Sequence, residues 1–177
     1  MTEGLFVAVG TMDRGVGRGV EAADAAAGAL RLSGFAQIGG SRAIPARLAW
    51  ARWLDPEEFR CRIARARVVI THGGIGILGD AMRARRPILA VPRRGRPSRS
   101  FPAEDQLPVL RRIAAVYPIH VCEDPRALLP ALRALLRGPA EVDYRLGSDV
   151  PRIVARFLAR ADQARGDEPV GSIPRKR

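Results

Sequence analysis

Residues 66–94 read ARVVITHGGIGILGDAMRARRPILAVPRR, and this stretch decides the fold. Val68–Thr71 is a β-branched apolar run, as expected of a strand buried on both faces. It breaks at His72-Gly73-Gly74-Ile75-Gly76, a helix to about Arg85 follows, and Ile88–Val91 forms the next strand, ending at Pro92. Strand, glycine turn, helix and strand make one unit of a parallel sheet. The glycines allow backbone to approach a ligand that any side chain would hold off.

The same alternation continues in both directions from this unit. Leu5–Val9 reads as a strand that stops at Gly10-Thr11, and residues 18–32 as an alanine-rich helix. Phe35–Ile38 and Leu48–Leu54 read as two more strands, the second with Leu48 and Trp50 at alternate, bulky positions. Asp55, Pro56 and Glu58 form a clear helix start, running to about Ala66. Beyond the central unit lie a polar loop over 93–103, a helix from about Glu104 to Ala115, a strand near Ile119–Val121 and a helix from Pro125 to Arg137 capped by Asp124. Strands alternating with helices predict an α/β, Rossmann-like parallel sheet with helices on both faces. The expected organisation is a domain over 1–138, a linker and amphipathic helix over 139–165, and a disordered basic tail over 166–177. In that helix Val150, Ile153, Val154, Phe157, Leu158 and Ala161 form an apolar stripe, with Arg152, Arg156 and Arg160 on another face.

Composition narrows the chemistry. The 177 residues suit one domain that folds without staples, and two cysteines, Cys61 and Cys122, make no disulfide framework. The first residues lack a basic stretch before the apolar run, and no apolar run approaches the ~20 residues needed to span a bilayer. A cytoplasmic protein is expected, with any membrane contact peripheral. The formal charge is +12, and Lys176 is the single lysine among 30 basic residues. A Walker A loop and a Tyr-x-x-x-Lys dehydrogenase pair both need a lysine near the site, so neither can be built, despite the spacing Gly10, Gly15, Gly17. No Gly-x-Ser-x-Gly elbow is present. His72, His120, Cys61 and Cys122 lack paired metal spacing, so no metal is expected. The aromatic residues form no RNA-binding motif, so no nucleic-acid partner is expected either.

The order FVAVGTMD, QIGGS, ARVVITHGGIGILGDAMRARRPILAVPRR and EDQ resembles the C-terminal domain of glycosyltransferase family 28, over about residues 5–137. In size and layout it is most similar to the single-domain subunits of two-chain enzymes. These include the cytosolic subunit of the lipid-linked N-acetylglucosaminyltransferase and bacterial exopolysaccharide glucuronosyltransferase subunits.

The resemblance implies half of a GT-B fold holding a UDP-sugar, with no cofactor. It matches Gly10 and Thr11 to a Gly-Thr loop, and His72, Gly73, Gly74 and Gly76 to a diphosphate-facing turn. Asp80 stands where a ribose-binding glutamate is usual, Glu104 and Gln106 near the sugar, and Arg18, Arg93 and Arg94 where phosphate contacts are available. Ile77 departs from a small hydroxyl residue, Asp105 from a histidine and Gly19 from a leucine.

The catalytic base and the acceptor site are expected on a membrane-anchored partner subunit, which brings a lipid-linked saccharide acceptor. The expected function is donor binding in an inverting hexosyltransferase of exopolysaccharide or related glycan assembly. The alternatives are a non-catalytic interaction or regulatory subunit of the same fold and a module drawn to nucleic acid by charge.

Overall fold

A computed structural model describes residues 3–10, 17–93, 105–147 and 154–156. Strands β1 (Glu3–Ala8), β2 (Gly34–Gln37), β3 (Ala49–Ala51), β4 (Ala66–Thr71), β5 (Ile88–Ala90) and β6 (His120–Val121) form one sheet. Helices α1 (Gly17–Leu30), α2 (Pro56–Arg65), α3 (Ile75–Arg83), α4 (Leu107–Ala114) and α5 (Leu128–Arg137) connect them, α5 entered through a 3₁₀ turn at Pro125–Ala127. The strand order is β3-β2-β1-β4-β5-β6 and every pairing is parallel.

The two faces of the sheet carry separate apolar clusters. Leu5, Val7, Val68 and Ile70 pack against α1 and α5, while Phe6, Ala8 and Val69 pack against α2, α3 and α4. Alternation along β1 and β4 sends successive side chains to opposite faces, so these central strands must be apolar throughout. Leu5 through Val9 are all at most 3% exposed, which bears out the continuous run read from the sequence.

Local chemistry fixes the joints. The Asp55 carboxylate accepts from the Glu57 and Glu58 N–H groups, both at 2.9 Å, and Pro56 opens α2 as its capping pattern predicts. The Arg67 guanidinium donates to the carbonyls of Leu136, Gly138 and Pro139 at 2.7–2.9 Å, tying the end of α5 to β4. Three expectations shift. The third strand is confined to 49–51, and Trp50 is exposed because β3 is the sheet edge and has one neighbour. Helix α4 begins at Leu107 rather than Glu104, because the Asp105 carboxylate caps the Leu107 N–H at 2.9 Å. The first three residues of the last sheet-domain helix are 3₁₀.

The chain divides into two units, Met1–Tyr144 and Arg145–Arg177. Residues 139–144 belong to the first: the Val142 N–H donates to the Arg85 carbonyl at 2.8 Å, and the buried Tyr144 hydroxyl to the Arg86 carbonyl at 2.7 Å. In the second unit residues 154–156 are helical. The rest of the expected terminal helix and the expected tail lie outside the described residues.

Candidate functional site

The site follows from where the chain leaves the sheet. Strands β1 and β4 lie side by side, but β1 leads to α1 on one face and β4 to α3 on the other. Their connections diverge at the carboxyl edge and open a crevice, the position at which ligands bind in open parallel sheets. The two glycine turns singled out in the sequence meet there.

His72 stands between them, 9% exposed. A Cβ on Gly10 would lie 2.9 Å from the imidazole Cε1, and one on Gly74 would lie 2.9 Å from Cε1 and 3.0 Å from Nε2. Neither position tolerates a side chain while the ring stays in place, and Gly10 has φ +69° as well. Gly73 has φ +94°, and its missing Cβ leaves room for the Leu110 side chain of α4, 2.6 Å from where that atom would be. Burial holds the His72 pKa below its usual 6.5; the Ala8 carbonyl opposes this, and the Arg93 charge adds to it. The ring is therefore neutral at pH 7, one nitrogen a donor and the other an acceptor. Nδ1 is buried without a hydrogen-bond partner among the described residues.

Beside the ring, α3 presents its N-terminus bare. The first helical bond is Leu78 N–H to the Gly74 carbonyl at 3.0 Å, so Ile75, Gly76 and Ile77 keep N–H groups with no acceptor within the helix. Gly74 supplies no side-chain cap, and the first turn has no acidic residue. A Cβ on Gly76 would meet nothing within 4 Å, so its glycine answers to no packing demand. Unpaired N–H groups and the helix dipole at an open position suit an anion.

On the α1 side of His72 lies a cavity of about 300 Å³. Val7, Val9, Ile70 and Val91 give it an apolar floor, and Arg18, His72 and Asp124 contribute polar walls. Glu123 also lines it, but its carboxylate accepts two bonds from Arg111, at 2.9 and 2.8 Å.

The described residues thus bring together Gly10, His72, Gly73, Gly74 and Gly76, with Arg18 across the cavity. The Gln106 N–H donates to the Arg93 carbonyl at 3.1 Å, closing the base of the intervening loop next to β5. Its Oε1 is buried with no hydrogen-bond partner among the described residues. Asp80 is placed differently: Oδ1 accepts from Arg83 at 2.8 Å, in a groove between α3 and α2 that Arg60 and Ile63 share. Thr11, Arg94 and Glu104 lie outside the described residues.

Sequence reasoning passed over Trp53. The residue is 53% exposed and its ring lies 3.4 Å from where a Gly39 Cβ would sit, and that same Cβ would collide with the Gly10 carbonyl. An exposed indole therefore stands at the β2 end, one turn away from the Gly10 turn. Arg52 steadies this corner by donating to the Gly39 and Ser41 carbonyls at 3.0 and 3.2 Å. The available signal was two aromatic residues just before the Asp55-Pro56 helix start. Among the described residues no group of three or more His, Cys, Asp or Glu stands close enough to hold a metal ion, and no helix is long and apolar enough to cross a membrane.

No family model and no curated protein matches the sequence. Solved structures do. MurG from Acinetobacter baumannii superposes with a TM-score of 0.60 at 15% identity, covering 90% of this chain and 51% of its own. UDP-GlcNAc 2-epimerase from Neisseria meningitidis, bound to UDP-GlcNAc, gives 0.58 at 11%, covering 90% and 44%. The glycosyltransferase of kitacinnamycin gives 0.56 at 19%, covering 78% and 35%. The chain spans about half the length of these proteins or less. Its parallel six-stranded sheet with flanking helices has the fold of the C-terminal, Rossmann-like half of GT-B glycosyltransferases.

Proposed function

We propose that this domain binds the UDP-sugar donor of an inverting hexosyltransferase. The observation that carries the reading is the meeting of two glycine turns around the buried His72 at the switch point, beside the uncapped N-terminus of α3. In this reading the N–H groups of residues 75–77, Gly10, Gly74 and Thr11 and the His72 imidazole receive the diphosphate, while Gly73, whose N–H donates to the Thr71 hydroxyl at 3.3 Å, shapes the turn. Arg18, Arg93 and Arg94 balance its charge. The Trp53 face offers a platform for the base, and Glu104 and Gln106 accept sugar hydroxyls. Asp80 reaches the ribose once its carboxylate turns away from Arg83.

The acceptor hydroxyl oxygen forms the new bond to the anomeric carbon, whose bond to the phosphate oxygen breaks. UDP leaves with the electron pair, and the proton passes to a base on the other half of the fold. That half is proposed to be a membrane-anchored partner presenting a lipid-linked saccharide, in exopolysaccharide or related glycan assembly. The neighbours support the donor class, since one of them is a complex with UDP-GlcNAc.

Calorimetric titration of the purified chain with UDP, GDP and an oligonucleotide tests this. The expected result is selective UDP binding that survives moderate salt. A non-catalytic subunit would bind none of the three, and binding of the oligonucleotide that collapses with salt would indicate a phosphate-backbone surface instead.

A further inference from the structure

We infer that the β3 edge of the sheet, with the loop leading into it, is a surface that seats on an anionic lipid bilayer; the inference does not depend on the donor site. Between Asp24 and Asp55 the sequence contains no acidic residue, whereas Arg31, Arg42, Arg47 and Arg52 fall within it. Asp24 itself is buried under the loop, its carboxylate accepting from the Ala46, Arg47 and Leu48 N–H groups at 2.9 Å.

The loop lies along α1. Ser41 and Ala43 approach Gly17 at the start of that helix, and the Arg47 side chain crosses Gly28 near its end. Trp50 is paired in parallel register with Ala36, which belongs to the α1-side cluster, so the indole projects to the same side as the loop. Ile44 is 48% exposed and Trp50 42%, and Arg42, Ala46 and Arg47 are exposed with them.

An indole and an aliphatic side chain, flanked by arginines of one sign, match the two layers of a bilayer interface. The apolar groups enter the headgroup–acyl boundary while the guanidinium groups meet lipid phosphates. A second copy of the chain fits poorly, because its matching surface carries the same positive charge. A nucleic acid would meet the arginines but has no apolar layer to cover Ile44 and Ala46.

The test is flotation of the full chain with phosphatidylcholine vesicles, with and without phosphatidylglycerol. Of the two tryptophans of the chain, Trp50 lies on this surface and Trp53 beside the Gly10 turn, so the part of the emission lost on Trp50→Ser is the part that reports on the surface. The chain is expected to float only with anionic vesicles, with emission quenched by brominated acyl chains. Arg42→Glu should weaken partitioning by about fivefold or more, and Ile44→Ser combined with Trp50→Ser should abolish it. All variants should keep whatever UDP response the unmodified chain shows, which separates this surface from the donor site. No flotation, undiminished flotation of Arg42→Glu, unquenched emission, or preferential capture by an oligonucleotide would each overturn the inference.

Discussion

His72 is the residue on which the site turns, and its protonation gives a direct reading of what sits beside it. Burial lowers its folded pKa below 6.5, so the unfolded chain binds the extra proton more readily. The sign follows from linkage: His72 favours folding above pH 6.5, and that contribution is lost as pH falls from 6.5 towards the folded pKa. A bound diphosphate reverses the local field, because a nearby anion favours the imidazolium. Nuclear magnetic resonance titration should find His72 below 6.5 in the free chain and raised when UDP is added, with UDP affinity growing as pH drops. A pKa unmoved by saturating UDP would place the diphosphate elsewhere. That His72, Gly73 and Gly74 turn the chain from β4 into α3 was legible from sequence, because a histidine and glycines directly after a β-branched strand are a local pattern. The position of Trp53 was not, because its exposure beside Gly39 depends on how β2 and β3 end.

At the scale of elements, Asp24 shows what a local pattern leaves out. It occupies an alanine-rich helix where an aspartate reads as an ordinary surface residue, yet its partners are 22–24 residues away. Burial opposes its ionisation, but three backbone N–H groups and the Arg47 charge outweigh burial and hold its pKa below 3.8. Its contribution is therefore present above pH 3.8 and is lost as pH falls through the lower folded value. Asp24→Ala leaves buried N–H groups without an acceptor and should cost on the order of 3 kcal/mol, with Asp24→Asn recovering part of it. Chemical denaturation checks this, and a cost within error of zero would mean that the loop over 41–47 is held by other contacts. Helix starts with strong capping chemistry, such as Asp55-Pro56, were read correctly. The start of α4 was displaced by three residues because the Asp105 cap and the Gln106 to Arg93 bond compete with helix formation there.

On the scale of the whole molecule, the alternation of strands and helices was enough to give a parallel sheet covered on both faces. The strand order was not in the sequence pattern. It depends on which strands β1 and β4 choose as neighbours, and that choice alone brings Gly10 to His72 across 62 positions of chain. The same holds for residues 139–144, read as linker, which are bound at the opposite edge of the sheet by Tyr144 and Val142. The fold is shared by glycosyltransferases and a UDP-GlcNAc epimerase, so the chemistry must be argued from the site. What this site offers is an uncapped helix end, a neutral imidazole and an open glycine.

In the proposed donor site the open space at Gly76 belongs to a ligand's phosphates. This is tested most directly by titrating UDP against the unmodified chain and Gly76→Leu. No neighbour opposes a side chain at this position, and leucine favours a helix over glycine by up to about 1 kcal/mol. The variant is expected to melt at the same temperature or higher while its UDP affinity falls at least about tenfold, a loss of roughly 1.4 kcal/mol. Undiminished UDP binding by a folded Gly76→Leu chain would contradict this assignment.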